Sequence, residues 1–323
     1  MTPARILFVH NQPQSFVRID LALLRERWEV EERFERRRCV DPAAVWARVS
    51  KADLVFCWFA SWHSLLPALC ARMQRKPCIV VVGGYDTANL PQIGYGSQRG
   101  GVRRAAARAI IRAASHLIVN SESARSEAVA NAGAPDSKIT VIYHGIDPIE
   151  PPGASQRDRI ALTVGGVWCE NLYRKGLLPF AQAAKLLPDW QFIVVGRWED
   201  GIDALRAAAG ANVALTGFLD DAALAETYRR ASVYVQASLH EGFGMSLAEA
   251  MSAGCIPVGT RIGAIPEVMG DTGVYTDPDP EAIARAVVEA HQRDRLPPRA
   301  RVLEQFSIAR RRSALHALIE RCL

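Results

Sequence analysis

Val233-Tyr234-Val235-Gln236-Ala237-Ser238-Leu239-His240-Glu241-Gly242-Phe243-Gly244-Met245-Ser246-Leu247-Ala248-Glu249-Ala250-Met251 reads as a strand, a turn and a helix in one short run. Residues 233–236 are strand-like, and a helix is predicted over 246–253. Gly242 and Gly244 let the backbone turn tightly and approach a ligand with no Cβ in the way. The N–H groups of Phe243 to Leu247 are expected to stand free at the helix start. Unpaired amides and the positive end of the helix dipole suit an anion such as phosphate there. Glu241 and Glu249 bracket this nest. A carboxylate beside a phosphate cradle is better suited to accept hydrogen bonds from the hydroxyls of a sugar or a ribose. The run therefore points to a nucleotide-sugar held by its diphosphate, with a carboxylate reading hydroxyls on either side. Taken singly, each residue also reads as part of a capped helix with surface glutamates.

Working outward, short apolar runs alternate with helical segments along the whole chain. Strands are predicted at 5–10, 53–58, 78–82, 116–120 and 138–143, then at 160–164, 190–195, 213–216, 233–236 and 256–258. Helices are predicted near 15–27, 42–51, 64–75, 101–114 and 122–132, then near 175–187, 200–209, 220–230, 246–253 and 280–292. Apolar strands that alternate with helices predict parallel sheets covered on both faces. Asp147-Pro148-Ile149-Glu150-Pro151-Pro152-Gly153-Ala154-Ser155 breaks both patterns and reads as a linker. The fold class is thus α/β, with two Rossmann-like doubly wound parallel-sheet domains facing a cleft. The divisions are 1–150, 151–306, and a last helix over 307–323. Ligands of such sheets sit at the carboxyl ends of the strands.

Composition agrees with two ordinary globular domains. The 323 residues are 49% hydrophobic and 23% charged, and no apolar run approaches the ~20 residues of a membrane span. The chain enters a strand at Arg5 with no apolar leader, so a cytoplasmic location is expected. Seven cysteines form no C-x-x-C pair and no zinc spacing, and read as buried reduced thiols. The net charge of +5 is uneven: residues 1–150 carry 20 Lys+Arg against 14 Asp+Glu, and the remainder carries 19 against 20. Arg33, Arg36, Arg37 and Arg38 form one basic cluster; Arg99, Arg103, Arg104, Arg108 and Arg112 form another. Arg104, Arg108 and Arg112 share one helix face. That face reads either as solvated or as the site of peripheral contact with an anionic membrane or acceptor. Trp28, Trp46 and Trp190 read as packing residues.

Glu241 and Glu249, with seven residues between them that include Gly-Phe-Gly, resemble the signature of the retaining glycosyltransferases of family 4 (glycosyl transferases group 1), which have the GT-B fold. Glu249-Ala250-Met251-Ser252-Ala253-Gly254-Cys255-Ile256-Pro257-Val258 is similar to the family's next run. Gly263-Ala264-Ile265-Pro266-Glu267-Val268 resembles its G-G-x-x-E segment. Ser121-Glu122-Ser123 and Tyr143-His144-Gly145-Ile146-Asp147 resemble segments of its first half. The resemblance implies that Glu241 contacts the donor sugar and Glu249 the ribose. Phe243, Gly244, Met245 and Ser246 would bind sugar hydroxyls and diphosphate through their backbone. Gly165, Gly166, Gly217, Phe218 and Gly242 are further donor-side candidates. Lys175, in Arg174-Lys175-Gly176, matches the family's diphosphate lysine.

Three departures stand out. The family's arginine after the strand glycine is here Gly166, so Arg174 or Arg197 is a candidate replacement. After the strand at 78–82, where the family often has His-Gly, the chain runs Gly83-Gly84-Tyr85-Asp86. These residues are acceptor-side candidates, Asp86 for an acceptor hydroxyl or as a turn former. The loop after the first strand, His10-Asn11-Gln12-Pro13-Gln14, lacks the family's glycine pair. His63 and His144 are cleft candidates that also read as packing residues.

The resemblance implies transfer of a sugar from a nucleotide-diphosphate sugar (UDP- or GDP-linked) to an acceptor hydroxyl with retention, with Glu241, Lys175, Arg174 and Asp86 as catalytic candidates. The acceptor is a sugar, a lipid-linked or a small molecule, and nucleic acid is not expected. No cofactor or metal is required: Asp277-Pro278-Asp279 reads as a helix cap. A related GT-B phosphorylase or epimerase, and a sugar-binding protein without chemistry, are the alternatives.

Overall fold

A computed structural model describes residues 3–36, 41–151 and 158–323. The chain divides into two compact units, one of residues 1–145 with 309–323, the other of residues 146–308.

The first unit holds a six-stranded parallel sheet. Its strands are β1 (Arg5–His10), β2 (Glu29–Phe34), β3 (Leu54–Trp58), β4 (Cys78–Val82), β5 (His116–Val119) and β6 (Ile139–Val141), in the order β2-β1-β3-β4-β5-β6. The second unit repeats the plan with β7 (Ile160–Val164), β8 (Gln191–Val195), β9 (Val213–Gly217), β10 (Val233–Gln236), β11 (Ile256–Gly259) and β12 (Val274–Tyr275), in the order β12-β11-β10-β7-β8-β9. Every pairing in both sheets is parallel. This is the doubly wound arrangement expected of a GT-B chain.

Central strands β3, β4 and β10 are buried along their whole length, because helices connect successive strands and leave both sheet faces covered. Edge strands obey different chemistry. Among the described residues β2, Glu-Val-Glu-Glu-Arg-Phe, pairs with β1 alone, and four of its six residues are charged. Arg5 reaches Glu29 at 2.8 Å, Arg25 reaches Glu32 at 3.0 Å, and Arg48 reaches Glu31. Such charges block edge-to-edge association.

The last helix, Ile308–Cys322, packs inside the first unit through a buried ion pair. Arg311 donates to both Asp20 oxygens at 2.5 and 2.7 Å and to the carbonyls of Ile142 and Tyr143 at 3.0 and 2.8 Å.

Several sequence expectations need correction. Trp46 is 43% exposed, because its short helix buries Val45 and Val49 instead. Cys169 is exposed, whereas Cys57, Cys70, Cys78 and Cys255 are buried. Arg108 does not share a solvated face with Arg104 and Arg112: it folds onto Gln98 Oε1 (3.2 Å) and the Asn131 carbonyl (2.7 Å). The helix expected over 175–187 begins only after the left-handed Gly176, at Leu177, and runs to Ala183, and a further short helix, Cys169–Arg174, stands where no helix was expected. In the basic cluster near β2, Arg33 pairs with Glu35 and Arg36 lies over the Phe34 ring; Arg37 and Arg38 lie outside the described residues, as do Cys39 and linker residues 152–157.

Candidate functional site

In the second unit, the carboxyl ends of β7 and β10 are neighbours, and two loops meet there. The segment after β7 is tied to the segment after β10 by the Leu239 amide, which donates to the Arg174 carbonyl at 2.8 Å. Gly176 makes the approach feasible. It has φ +68°, and a Cβ there would stand 2.2 Å from the Ala237 carbonyl oxygen. Lys175 is thereby delivered to Glu241: its Nζ lies 2.5 Å from Oε2. Gln236 Nε2 donates to the same oxygen at 3.1 Å and to Ser238 Oγ at 2.6 Å. The fully buried Tyr234 hydroxyl donates to Gln236 Oε1 at 3.1 Å.

Burial alone would raise the Glu241 carboxyl, but the charges of Lys175 and Arg174 outweigh it and hold it below the ordinary range. Glu241 is therefore a fixed carboxylate, an acceptor of hydrogen bonds. The downstream Gly-Ala-Ile-Pro-Glu run supports it from behind. The Ala264 amide donates to the Glu241 carbonyl at 3.0 Å, and a Cβ on Gly263 would stand 2.5 Å from that same oxygen.

Arg174 is buried. Its Nε and Nη2 donate to Asn171 Oδ1 at 3.1 and 2.6 Å, and Asn171 Nδ2 donates to the Gly166 carbonyl at 2.8 Å. Gly165 lies beside Lys175, whose Cγ would be 3.6 Å from a Cβ at that position. Arg197, the other candidate for the missing guanidinium, is exposed at the end of β8 and lies 5.9 Å over the Phe218 ring.

The helix after β10 runs Met245–Ser252, with Gly244 at its N-cap in a left-handed conformation. The amides of Met245, Ser246 and Leu247 open this helix, so they have no acceptor one turn back within it. Phe243 is buried against Phe306, ring centroids 5.4 Å apart, which anchors the glycine turn at Gly242. Glu249, half-buried on the second turn, accepts from the Tyr228 hydroxyl at 3.1 Å. Burial pushes its carboxyl up, against the pull of that hydrogen bond. Gly217 ends β9 with φ +76°, and Phe218 is exposed beside it. Asp279 caps the Pro280–His291 helix, accepting from the Ala282 amide at 2.9 Å.

The first-unit candidates form a separate group. Asp86 is buried and accepts from the Ala60 and Gly83 amides at 2.8 and 3.0 Å. Burial raises its carboxyl to about 6 against those two hydrogen bonds. Its carboxylate therefore pins the loops after β3 and β4 together. Gly83 faces the Phe59 ring, whose Cε1 would be 2.3 Å from a Cβ there, and Gly84 has φ +107°. Tyr85 is partly exposed and accepts from Arg103 Nη1 at 3.0 Å. His63 is buried, its Nε2 2.6 Å from the Trp58 carbonyl. His144 is buried against Trp58 and Phe16.

The motifs named Glu241, Glu249, Lys175 and Arg174. They did not name Asn171, Gln236 or Tyr228, which hold those groups in place. Asn171 precedes Arg174 by three residues and shares its face of the Cys169–Arg174 helix, a helix not expected from the sequence.

Comparison with known proteins extends over nearly the whole chain. The glycosyl transferases group 1 family matches residues 158–293, and glycosyltransferase family 4 matches residues 8–150. The O-antigen chain mannosyltransferase B of Escherichia coli is 33% identical over 132 residues, 38% of this chain and 35% of that protein. The lipopolysaccharide core biosynthesis mannosyltransferase LpcC of Rhizobium leguminosarum bv. viciae is 34% identical over 172 residues, 46% of this chain and 48% of that protein. The chain thus matches less than half the length of each of these relatives. Anabaena Alr3699/HepE in complex with UDP-glucose shares the fold with a TM-score of 0.82 at 17% identity, over 98% of this chain and 99% of that one. The chain belongs to the group 1 glycosyltransferase family and has the GT-B fold.

Proposed function

We propose that this enzyme transfers a hexose from a nucleotide-diphosphate sugar to an acceptor hydroxyl, with retention of anomeric configuration. The carrying observation is the ion pair of Lys175 and Glu241 at 2.5 Å, set where two loops meet at the carboxyl ends of β7 and β10. In this reading Lys175, Arg174 and the amides of Met245 to Leu247 meet the charge that grows on the leaving diphosphate. Glu241 accepts from donor-sugar hydroxyls and Glu249 from the ribose. No side chain of this cluster is an evident nucleophile, so the reading is a reaction on one face of the sugar. The departing phosphate takes the acceptor proton, and the protein supplies position and charge. Residues 146–308 are the donor unit in this reading, and residues 1–145 the acceptor unit. UDP-glucose bound to HepE and the mannosyl relatives support a nucleotide-hexose donor. The work of this enzyme is placed in the cytoplasm, on an acceptor that is a sugar, a small molecule or a lipid-linked glycan.

Melting scans with UDP, GDP, ADP and inorganic phosphate test the donor class. At least one nucleotide is expected to raise Tm. A shift with phosphate alone would favour a phosphorylase, and no shift at all would remove the donor site. Lys175→Ala and Glu241→Ala should each lower kcat/KM by about a hundredfold or more with the fold intact; full activity in both would refute the assignment.

A further inference from the structure

Trp168 fills the space of a side chain that is missing. A Cβ on Gly166 would stand 2.1 Å from Trp168 Cζ3 and 2.8 Å from Cε3 and Cη2. The six-membered ring of the indole therefore lies directly on the glycine backbone, and only glycine admits it. The segment is held on its other side as well. A Cβ on Gly201 would stand 2.8 Å from the Trp168 carbonyl carbon. The Cys169 amide donates to Asp200 Oδ1 at 2.9 Å, and Val167 pairs with Trp198 in a parallel bridge.

A tryptophan fixed this firmly would ordinarily be covered, yet Trp168 is 40% exposed. Two more exposed rings follow at the ends of the next strands. Trp198 lies under the Arg206 guanidinium at 4.9 Å, and Phe218 under that of Arg197 at 5.9 Å. Among the described residues, Trp168 stacks on no ring or cation, and its exposure leaves indole surface open to a ligand. Its position relates it to the donor groups. Gly166 follows Gly165, which lies against the Lys175 stem, and the Gly166 carbonyl accepts from the Asn171 side chain that holds Arg174.

In a doubly wound sheet a pyrophosphate sits on the first strand-to-helix turn, and the nucleoside extends over the end of the next strand. Here those strands are β7 and β8, and Trp168 belongs to the segment that bridges to the residues after β8. We propose that the exposed indole of Trp168 stacks on the nucleobase of the donor, an inference that rests on the nucleotide-sugar reading of this site. An aromatic face is tolerant of base identity, since every base has a π face, and contributes affinity through stacking.

Calorimetric titration of whichever of UDP, GDP and ADP binds best, beside inorganic pyrophosphate, tests this. Trp168→Ala should weaken the nucleotide about tenfold and leave pyrophosphate binding unchanged. Trp168→Phe should keep most of the affinity. Gly166→Ala places its Cβ in the ring and should weaken the nucleotide, with no further loss of nucleotide affinity when added to Trp168→Ala. Equal nucleotide affinity in wild type and Trp168→Ala would overturn the proposal, as would a matched loss of pyrophosphate. If the wild type binds none of the three nucleotides, the donor reading itself fails first.

Discussion

His63 is 1% exposed and its Nε2 lies 2.6 Å from the Trp58 carbonyl. Burial lowers its pKa from 6.5 to about 4; the hydrogen bond to Trp58 works against this, and the nearby His10 adds to it. The neutral ring therefore donates from Nε2. In the unfolded chain the imidazole takes its proton near 6.5, so the folded state binds fewer protons below that pH. The stabilising contribution is complete above pH 6.5 and is lost as pH falls toward 4. Asp86, raised to about 6, has the opposite sign: its contribution is complete below about 3.8 and is lost as pH rises through 6. The two titrations oppose each other over much of the same window, so wild-type stability alone does not separate them. His63→Gln keeps a donor and removes the titration. Urea unfolding at pH 7 and pH 4.5 should show this variant gaining on the wild type as pH falls, by on the order of 2 kcal/mol. A constant difference between the two proteins would show that His63 is not held neutral.

At the scale of elements, the break at Gly176 does what one long helix would not: it lets the chain turn so that Lys175 faces the loop after β10. Gly101 has the same φ of +68°, with nothing within 4 Å of where a Cβ would be. Gly101→Ala should therefore cost about 1 kcal/mol of backbone strain. Gly176→Ala adds a collision with the Ala237 carbonyl and should cost clearly more, with a raised KM for the donor. Equal unfolding midpoints for the two variants would contradict the close approach. The helix before this break was not legible beforehand, because Cys169 to Arg174 is too short to show a period, and the need for glycine at 176 comes from Ala237, about sixty positions away. The central strands were legible, since burial on both faces writes itself as runs such as Cys-Ile-Val-Val-Val. β2 was not, because an edge strand pairs on one side and Glu-Val-Glu-Glu-Arg-Phe shows no apolar run. Likewise Glu241 and Lys175 stood out in their motifs. Gln236 and Tyr228, which are polar groups buried behind the site, are meaningful only once the sheet brings them there.

For the molecule as a whole, the excess positive charge has a more definite address than its first half. From Leu54 to Ser121 the chain carries eight Lys and Arg and one carboxylate, Asp86, and that carboxylate is buried. Elsewhere surface arginines commonly meet a glutamate or aspartate, as Arg5, Arg25, Arg125 and Arg299 do. Among the described residues, Arg99, Arg103, Arg104 and Arg112 form no such pair. Gly100 to Ala105 is exposed throughout, with Val102 at 85% and the partly exposed Tyr85 bonded to Arg103. Unneutralised guanidinium groups around an exposed apolar residue suit an anionic lipid surface, at about 1 kcal/mol per basic residue. A lipid-linked acceptor would lie in such a surface. Sedimentation with neutral phosphatidylcholine vesicles, and with vesicles containing phosphatidylglycerol, separates this from a merely solvated patch. The wild type should favour the anionic vesicles and lose that preference in high salt. Replacing Arg99, Arg103 and Arg104 together by Gln should lower partitioning about a hundredfold while leaving nucleotide binding intact, because the proposed donor site is built from residues 146–308. Equal sedimentation of the wild type with both vesicles would rule out the lipid surface and leave the charge to a soluble anionic acceptor.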